Sequence, residues 1–340
     1  MLTEDSYHKN KELKKKTLSK SDMILLSKLE EDSRQSLSQL AVKLRISQQL
    51  LAYRLKSLKK RKILSGFYTQ INFPMFGYTK YRLLVRISDY SQKKEKEIID
   101  YLIHHPNVQW IIECGGQWDY IINFIAKNVV QFDHFLKEFK NKFPKQIQNY
   151  DVIIVIEFIE LGRSYFTKKR RDVNRLSYFG RDYKSIKVDS TDLNVLHLIS
   201  ENARMNAAEI ANKIGVSFNT VSSRINKLKE KGIIRAFKPL INLENTPYET
   251  YKAAFKFQNC TEQKENEIID YLKTDMRVVA LIKLLGKWDF EIEFEVDSGK
   301  SMMDFIRGFR DKFKDIIKEF ELIPLYHEFK YNYFPGDLIS

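Results

Sequence analysis

Cysteine is almost missing from this chain of 340 residues: it has two, Cys114 and Cys260. Two isolated thiols exclude a disulfide framework and fit a reducing cytosol, so the sequence predicts a cytoplasmic protein. Histidine is scarce as well. His104 and His105 sit at a predicted helix end, while His8, His134, His197 and His327 are scattered, which leaves no metal-ligand spacing. No apolar run approaches the roughly 18 residues of a membrane span. The lysine-rich start (Lys9, Lys11, Lys14, Lys15 and Lys16) leads into no signal-peptide core, so neither a membrane nor a secreted protein is expected. Glycine forms no phosphate-cradling loop, and no Ser/His/Asp or carboxylate arrangement recurs. The expected protein is not an enzyme, and it has no catalytic residues, no metal and no cofactor.

What the chain has in excess is positive charge. Lysine and arginine number 58 against 44 acidic residues, a net charge of +14. This points toward a polyanionic partner, although basic surfaces also serve solubility or membrane contact. Two runs concentrate the charge: Lys56–Lys62 (KSLKKRK) and Lys168–Arg171 (KKRR).

The chain also contains itself twice. A shift of 170 positions lays Asp22–Asn72 on Asp192–Asn242 without a gap, and 14 of the 51 pairs are identical, Arg54/Arg224 and Leu58/Leu228 among them. The register continues through EKEIIDYL (Glu95–Leu102) and ENEIIDYL (Glu265–Leu272) to the turns Gly116–Asp119 and Gly286–Asp289. A unit this long is a duplicated module rather than a solenoid repeat.

Each module reads in two parts. Apolar spacing predicts a helix from Lys20, a second opened by Ser36, and a third capped by Ser47; the second copy repeats this up to a Ser217 cap. Three short helices with a tight turn before the last follow the helix-turn-helix plan. Past Asn72 the pattern alternates, predicting strands at Tyr81–Ile87, Val108–Cys114, Trp118–Ala126 and Asn149–Glu160, with helices at Lys93–His105 and Val130–Phe143. That is β-α-β-β-α-β, the ferredoxin-like order, and the fold class is α+β. The expected organisation is a basic tail at 1–19, helix-turn-helix regions at 20–65 and 189–235, and linking strands with ferredoxin-like domains at 66–160 and 236–330. A basic linker at 161–188 joins the halves, and 331–340 is a tail.

In a helix-turn-helix the third helix lies in the major groove of double-stranded DNA while flanking cations take phosphates. The candidate reading face is Ser47, Gln48, Gln49, Ala52, Tyr53, Arg54, Lys56 and Ser57 in copy one. In copy two it is Ser217, Phe218, Asn219, Thr220, Ser222, Ser223, Arg224 and Lys227. Glutamine and asparagine pair with adenine, methyl groups touch thymine, and Arg54 and Arg224 are expected to reach a phosphate or a guanine. The blander alternative is a bundle kept for packing or dimerisation. From Ser47 to Lys62 copy one has six basic residues and no acidic one; from Ser217 to Gly232 copy two has four and Glu230. Copy one should dominate the salt-dependent affinity. Its turn, however, has Arg45 where copy two has Gly215, which predicts strain of roughly 1 kcal/mol there.

Taken together, these features resemble the Lrp/AsnC family of transcription regulators. The residues that carry the likeness are Asp22, Leu40–Ala41, Ser47, Arg54, Leu58 and Ile63, then Asp192, Ile210–Ala211, Ser217, Arg224, Leu228 and Ile233, with Gly-x-x-Asp at Gly116–Asp119 and Gly286–Asp289. The resemblance implies paired α/β domains, further assembly, and amino-acid-type effectors near those turns, with Gly116, Trp118, Asp119, Gly286, Trp288 and Asp289 as candidate residues. The same glycines serve equally as hairpin turns and the tryptophans as core. Family members usually carry one module per chain, so the duplication predicts an intrachain pseudo-dimer; the alternative is pairing with a second chain. Two rivals stand beside the regulator: a siroheme-decarboxylase-like enzyme, also built from paired Lrp-like halves, and an amino-acid sensor or assembly protein whose heads no longer read DNA.

Overall fold

The computed structural model describes residues 17–88, 91–169, 176–180 and 186–339. The tail before Thr17 and the Arg170–Arg171 end of the basic run lie outside the described residues.

The first head is α1 (Lys20–Glu31), α2 (Leu37–Leu44) and α3 (Gln48–Lys60). Each helix begins where a serine hydroxyl accepts a backbone N–H: Ser19 from Asp22, Ser36 from Gln39 and Ser47 from Leu50. Leu25, Leu26, Leu29, Leu40, Leu51 and Leu58 bury their apolar faces against one another. After β1 (Leu64–Ile71) come β2 (Thr79–Ile87), α4 (Gln92–His104), β3 (Val108–Cys114), β4 (Tyr120–Ala126), α5 (Val129–Lys142) and β5 (Ile147–Glu160). The segment read from sequence as a linker contributes β6 (Ser177–Phe179), paired to β5.

Copy two repeats the plan. Its head is α6 (Ser190–Glu201), α7 (Ala207–Ile214) and α8 (Phe218–Glu230), followed by β7 (Ile234–Ile241). Its second part is β8 (Glu249–Phe257), α9 (Glu262–Thr274), β9 (Val278–Leu285), β10 (Phe290–Val296), α10 (Gly299–Lys312) and β11 (Ile317–Tyr331). The architecture is α+β in the ferredoxin-like order expected from sequence, twice over.

The halves are interlocked. β1 pairs antiparallel with β7 as a two-stranded ribbon, Tyr68 opposite Lys238. Each first helix packs on the other copy's ribbon strand, α1 on β7 and α6 on β1. Ser33 N–H donates to the Phe237 carbonyl at 2.9 Å and Ala203 N–H to that of Phe67 at 3.2 Å, the same bond from each side. Arg34 and Arg204 lie over Phe237 and Phe67 in the same mirrored way. Below the heads, β3 pairs with β11 and β9 with β5, so the two four-stranded sheets close into a ring, β2-β4-β3-β11-β8-β10-β9-β5, completed by β5 on β2. The helices cover its outside.

Alternation sorts the side chains. On β10, Phe290, Ile292 and Phe294 face α9 and α10, while Glu291 and Glu295 are buried on the opposite face, within the ring. Leu84, Trp118, Ile121, Ile282 and Trp288 make the apolar part of that interior. The charged part holds Lys80, Arg82, Lys252 and Glu291, each 5% exposed or less.

The strain expected at Arg45 is present, and at a second site besides. Arg45 and Lys62 stand at φ 55° and 56°, where copy two has Gly215 and Gly232 at φ 70° and 72°. A left-handed residue with a Cβ costs about 1 kcal/mol at each position. The double variant Arg45→Gly/Lys62→Gly is therefore expected to raise the melting temperature of the first head while weakening DNA binding through two lost cations. Scanning calorimetry beside a duplex titration would check both signs, and an unchanged or lower melting temperature would contradict the strain.

Candidate nucleic-acid interface and interior cleft

The third helix of each head presents its middle turns outward. On α3, Gln48, Gln49, Ala52, Tyr53 and Lys56 are exposed, with Ser57 half-buried and Ser47 occupied as the cap. Lys59, Lys60 and Lys62 continue the exposed basic surface. On α8, Phe218, Asn219, Ser223 and Lys227 are exposed; Thr220 and Ser222 are half-buried, with the Thr220 hydroxyl 2.8 Å from that of Ser217. Sequence reasoning missed Asn226, exposed where copy one has Lys56. Its spacing, seven residues beyond Asn219 and three beyond Ser223, was the available signal.

Arg54 and Arg224, expected to reach a phosphate or a guanine, turn toward the first helix of their own head in the free protein. Arg224 Nη1 lies 2.5 Å from Asp189 Oδ2 and 3.2 Å from Asp192 Oδ1. Arg54 Nη1 stands 4.0 Å from Asp22 Oδ1, and Arg61 closes on the other oxygen at 2.8 Å. The reason is electrostatic: the duplicated aspartate in the first turn of α1 and α6 lies within ion-pair reach of the arginine in both copies, joined in copy two by the closer Asp189 cap, so this identity between copies orients the third helix.

The Gly-x-x-Asp turns are built as hairpins. The Asp119 carboxylate accepts the Ile87 N–H at 2.7 Å, and Asp289 accepts the Phe257 N–H at 2.8 Å with Lys256 Nζ at 2.7 Å. Gly116 and Gly286 take positive φ. Trp118 and Trp288 are buried in the ring, each indole N–H without an acceptor, under the Lys287 ammonium. None of these six residues lines the clefts described next.

Two clefts occupy matching places in the copies. In copy two a space of about 720 Å³ opens between the β7–β8 connection and β11, walled by Trp110, Tyr248, Pro324 and Tyr326, with five glutamates on its lining. A pocket of about 100 Å³ continues it inward past Trp110, Glu293 and Glu328 to Gln109. Arg163 binds Glu295 at 2.8 Å and Glu30 at 2.9 Å. Lys252 binds Glu293 at 2.7 Å. Glu328 receives the Trp110 indole N–H at 2.7 Å; burial, with Glu293 nearby, pushes its carboxyl up to about 7 against that hydrogen bond. The copy-one counterpart, bounded by Phe73, Lys80, Phe158 and Phe179, retains about 170 Å³.

Among the described residues, no cluster of three or more His, Cys, Asp or Glu could hold a metal ion, and no helix is long and apolar enough to cross a membrane.

Capped third helices on paired heads over a closed α/β ring define a helix-turn-helix protein of regulator type. Residues 188–235 match the family model for winged helix-turn-helix DNA-binding domains. Over 102 residues the chain is 33% identical to an HTH-type transcriptional regulator of Methanocaldococcus jannaschii, covering 30% of this chain and 68% of that protein. An AsnC family transcriptional regulator from Agrobacterium tumefaciens aligns over 100% of its length with 45% of this chain, at 19% identity and a TM-score of 0.40. The siroheme decarboxylase NirDL aligns over 94% of this chain and 97% of its own, at 12% identity and a TM-score of 0.59, a likeness of fold. With that Methanocaldococcus relative the chain belongs to the HTH-type transcriptional regulators.

Proposed function

We propose that the chain is a sequence-specific DNA-binding transcription regulator whose two modules form the family's dimer within one polypeptide. The observation that supports this best is the pair of serine-capped third helices, with exposed Gln48, Gln49, Tyr53, Asn219 and Ser223 flanked by exposed lysines. Amide side chains read adenine edges and the lysines neutralise phosphates. Because the reading residues differ between heads, the fitting operator is asymmetric rather than palindromic. Arg54 and Arg224 serve this reading by orienting the helices.

Fluorescence anisotropy with duplex from upstream of its own gene, beside a scrambled duplex and across salt, tests the proposal. Tight, salt-sensitive binding that prefers the native sequence is expected. No binding to either duplex at low salt would overturn it.

The likeness of fold to a siroheme decarboxylase along nearly the whole chain supports a second reading, as a tetrapyrrole enzyme. The glutamates of the larger cleft oppose it, since a tetrapyrrole bearing several carboxylates meets like charge there. A shifted Soret band on adding an iron uroporphyrin would revive it.

A further inference from the structure

Lys80 on β2 is a buried charge without a counter-charge. It is 5% exposed, yet among the described residues no carboxylate pairs with it: Glu291 is held by Arg82, and Glu293 by Lys252. What surrounds the ammonium is carbon. The ring centres of Phe158, Phe73 and Tyr333 lie 5.2, 5.3 and 5.4 Å from it.

This lysine belongs to copy one alone. The 170-residue shift puts Thr250 at its position, with Leu243 for Phe73, Glu328 for Phe158 and Arg163 matched to Tyr333. Neither the amine nor its cage recurs, so the fold does not require them.

Two spaces meet at Lys80. Inward is the pocket of about 100 Å³ that it shares with Arg82, Arg163, Lys252, Glu293 and Glu328. Outward is the cavity of about 170 Å³, walled by Phe73, Ile154, Phe158 and Phe179, with Ile156, 37% exposed, at its mouth. The first is charged and the second is largely hydrocarbon. Burial, with Arg82 and Lys252 nearby, pulls the Lys80 ammonium down to about 7. At neutral pH roughly half of such a group is free amine, against roughly 0.04% of an ordinary lysine. A desolvated free amine is a nucleophile. A carboxylate ligand would carry its charge into the hydrocarbon cavity, whereas a neutral carbonyl compound does not.

We propose that Lys80 is a covalent carbonyl-binding site, whose amine condenses with a small aliphatic aldehyde lodged in the outer cavity. The nitrogen lone pair adds to the carbonyl carbon, and a proton moves from nitrogen to oxygen. Loss of that oxygen as water leaves a C=N bond, with no oxidant or further reactant needed. Phe73, Phe179 and Tyr333 also belong to the core on which the second head rests, so an occupied cavity bears on the seat of that head.

Reductive trapping of the full chain with pentanal and sodium cyanoborohydride at pH 7, followed by peptide mapping, tests this. A pentyl group on Lys80 is expected well before any exposed lysine reacts. Lys330 is the control for low basicity without a cavity. Burial brings it down to about 8, but it donates to the His105 carbonyl at 2.7 Å and lines neither space, so it should lag. The α-amino group, ordinarily near 8, is told apart by its peptide. Pyrene-1-carbaldehyde, too wide for the cavity, should spare Lys80. Lys80→Arg keeps a caged cation and should lose the label; if it melts early by circular dichroism, the unsubstituted chain decides alone. Label on exposed lysines with Lys80 unmodified would overturn the proposal, and so would equal labelling of Lys80 by both aldehydes. The readout is a mass on one peptide, so it stands or falls separately from the regulator reading.

Discussion

Replacing Arg82 by alanine is expected to lower the unfolding free energy by about 3–5 kcal/mol, since it removes the nearer counter-charge of a buried carboxylate. Arg82 on β2, 2% exposed, binds Glu291 on β10, 0% exposed, and its Nε donates to Asn123 Oδ1 at 3.0 Å. Lys252 on β8 adds a second cation 3.6 Å from Glu291 and binds Glu293 at 2.7 Å. The Glu291 contact spans the ring from one copy to the other, so its loss should open both halves in one transition. Burial opposes ionisation of Glu291, but Arg82 and Lys252 outweigh it and hold the carboxyl below its ordinary value. The stability it contributes is therefore present above about pH 4.5 and is lost as pH falls below that. Urea denaturation at pH 7 measures the loss; a cost under 1 kcal/mol would mean that water reaches the pair. The double variant Arg82→Met/Glu291→Leu should recover most of what the single variant loses, as apolar replacements of buried pairs often do.

The second large effect lies on DNA. Changing Lys56, Lys59, Lys60 and Lys62 together to alanine removes up to four phosphate contacts. With about 0.9 in the logarithmic salt slope per contact, the slope should flatten by up to about 3.6, and affinity near 0.15 M salt should fall on the order of 10²–10³-fold. The matching set in copy two, Lys227, Lys229 and Lys231, should flatten it by up to about 2.7. Anisotropy across salt reads both. If the copy-one set leaves the slope unchanged, the first head does not carry the electrostatic part of binding. Circular dichroism melts guard against misfolding, and little is expected because Lys56, Lys60 and Lys62 are exposed, while Lys59 lies 5.9 Å from the Phe67 ring.

Much of this molecule could be read before its coordinates. Leucine spacing and serine caps marked the head helices, and the period-two pattern marked the strands, because both follow from local geometry and one-sided burial. The closure of the ring was not legible. Alternation in FEIEFEV (Phe290–Val296) is the pattern of a strand with one wet face, yet Glu291 and Glu295 lie inside, neutralised by Arg82, Lys252 and Arg163 from distant segments. A polar face tells only that water or a counter-charge must meet it, and sequence does not say which. Arg54 and Arg224 show a related limit: a basic residue on a reading helix looks free until its aspartate on another helix is seen. The cleft left no sequence signal of its own, since it is made of what copy two lacks. Its trace is the substitution of Thr250 and Glu328 for Lys80 and Phe158, visible only once the copies are aligned and the surroundings are known.

Joining β3 to β11 and β5 to β9 within one polypeptide changes how such a protein can vary. In a two-chain dimer every substitution is made twice, so a mutation that plugs one cleft plugs both, and one that sharpens one head alters its twin. Here each position is written once. One head can lean toward charge and the other toward shape, and one cavity can be sealed while its counterpart stays open. The pairing is also independent of dilution, since the partner is always at the end of a linker rather than free in solution.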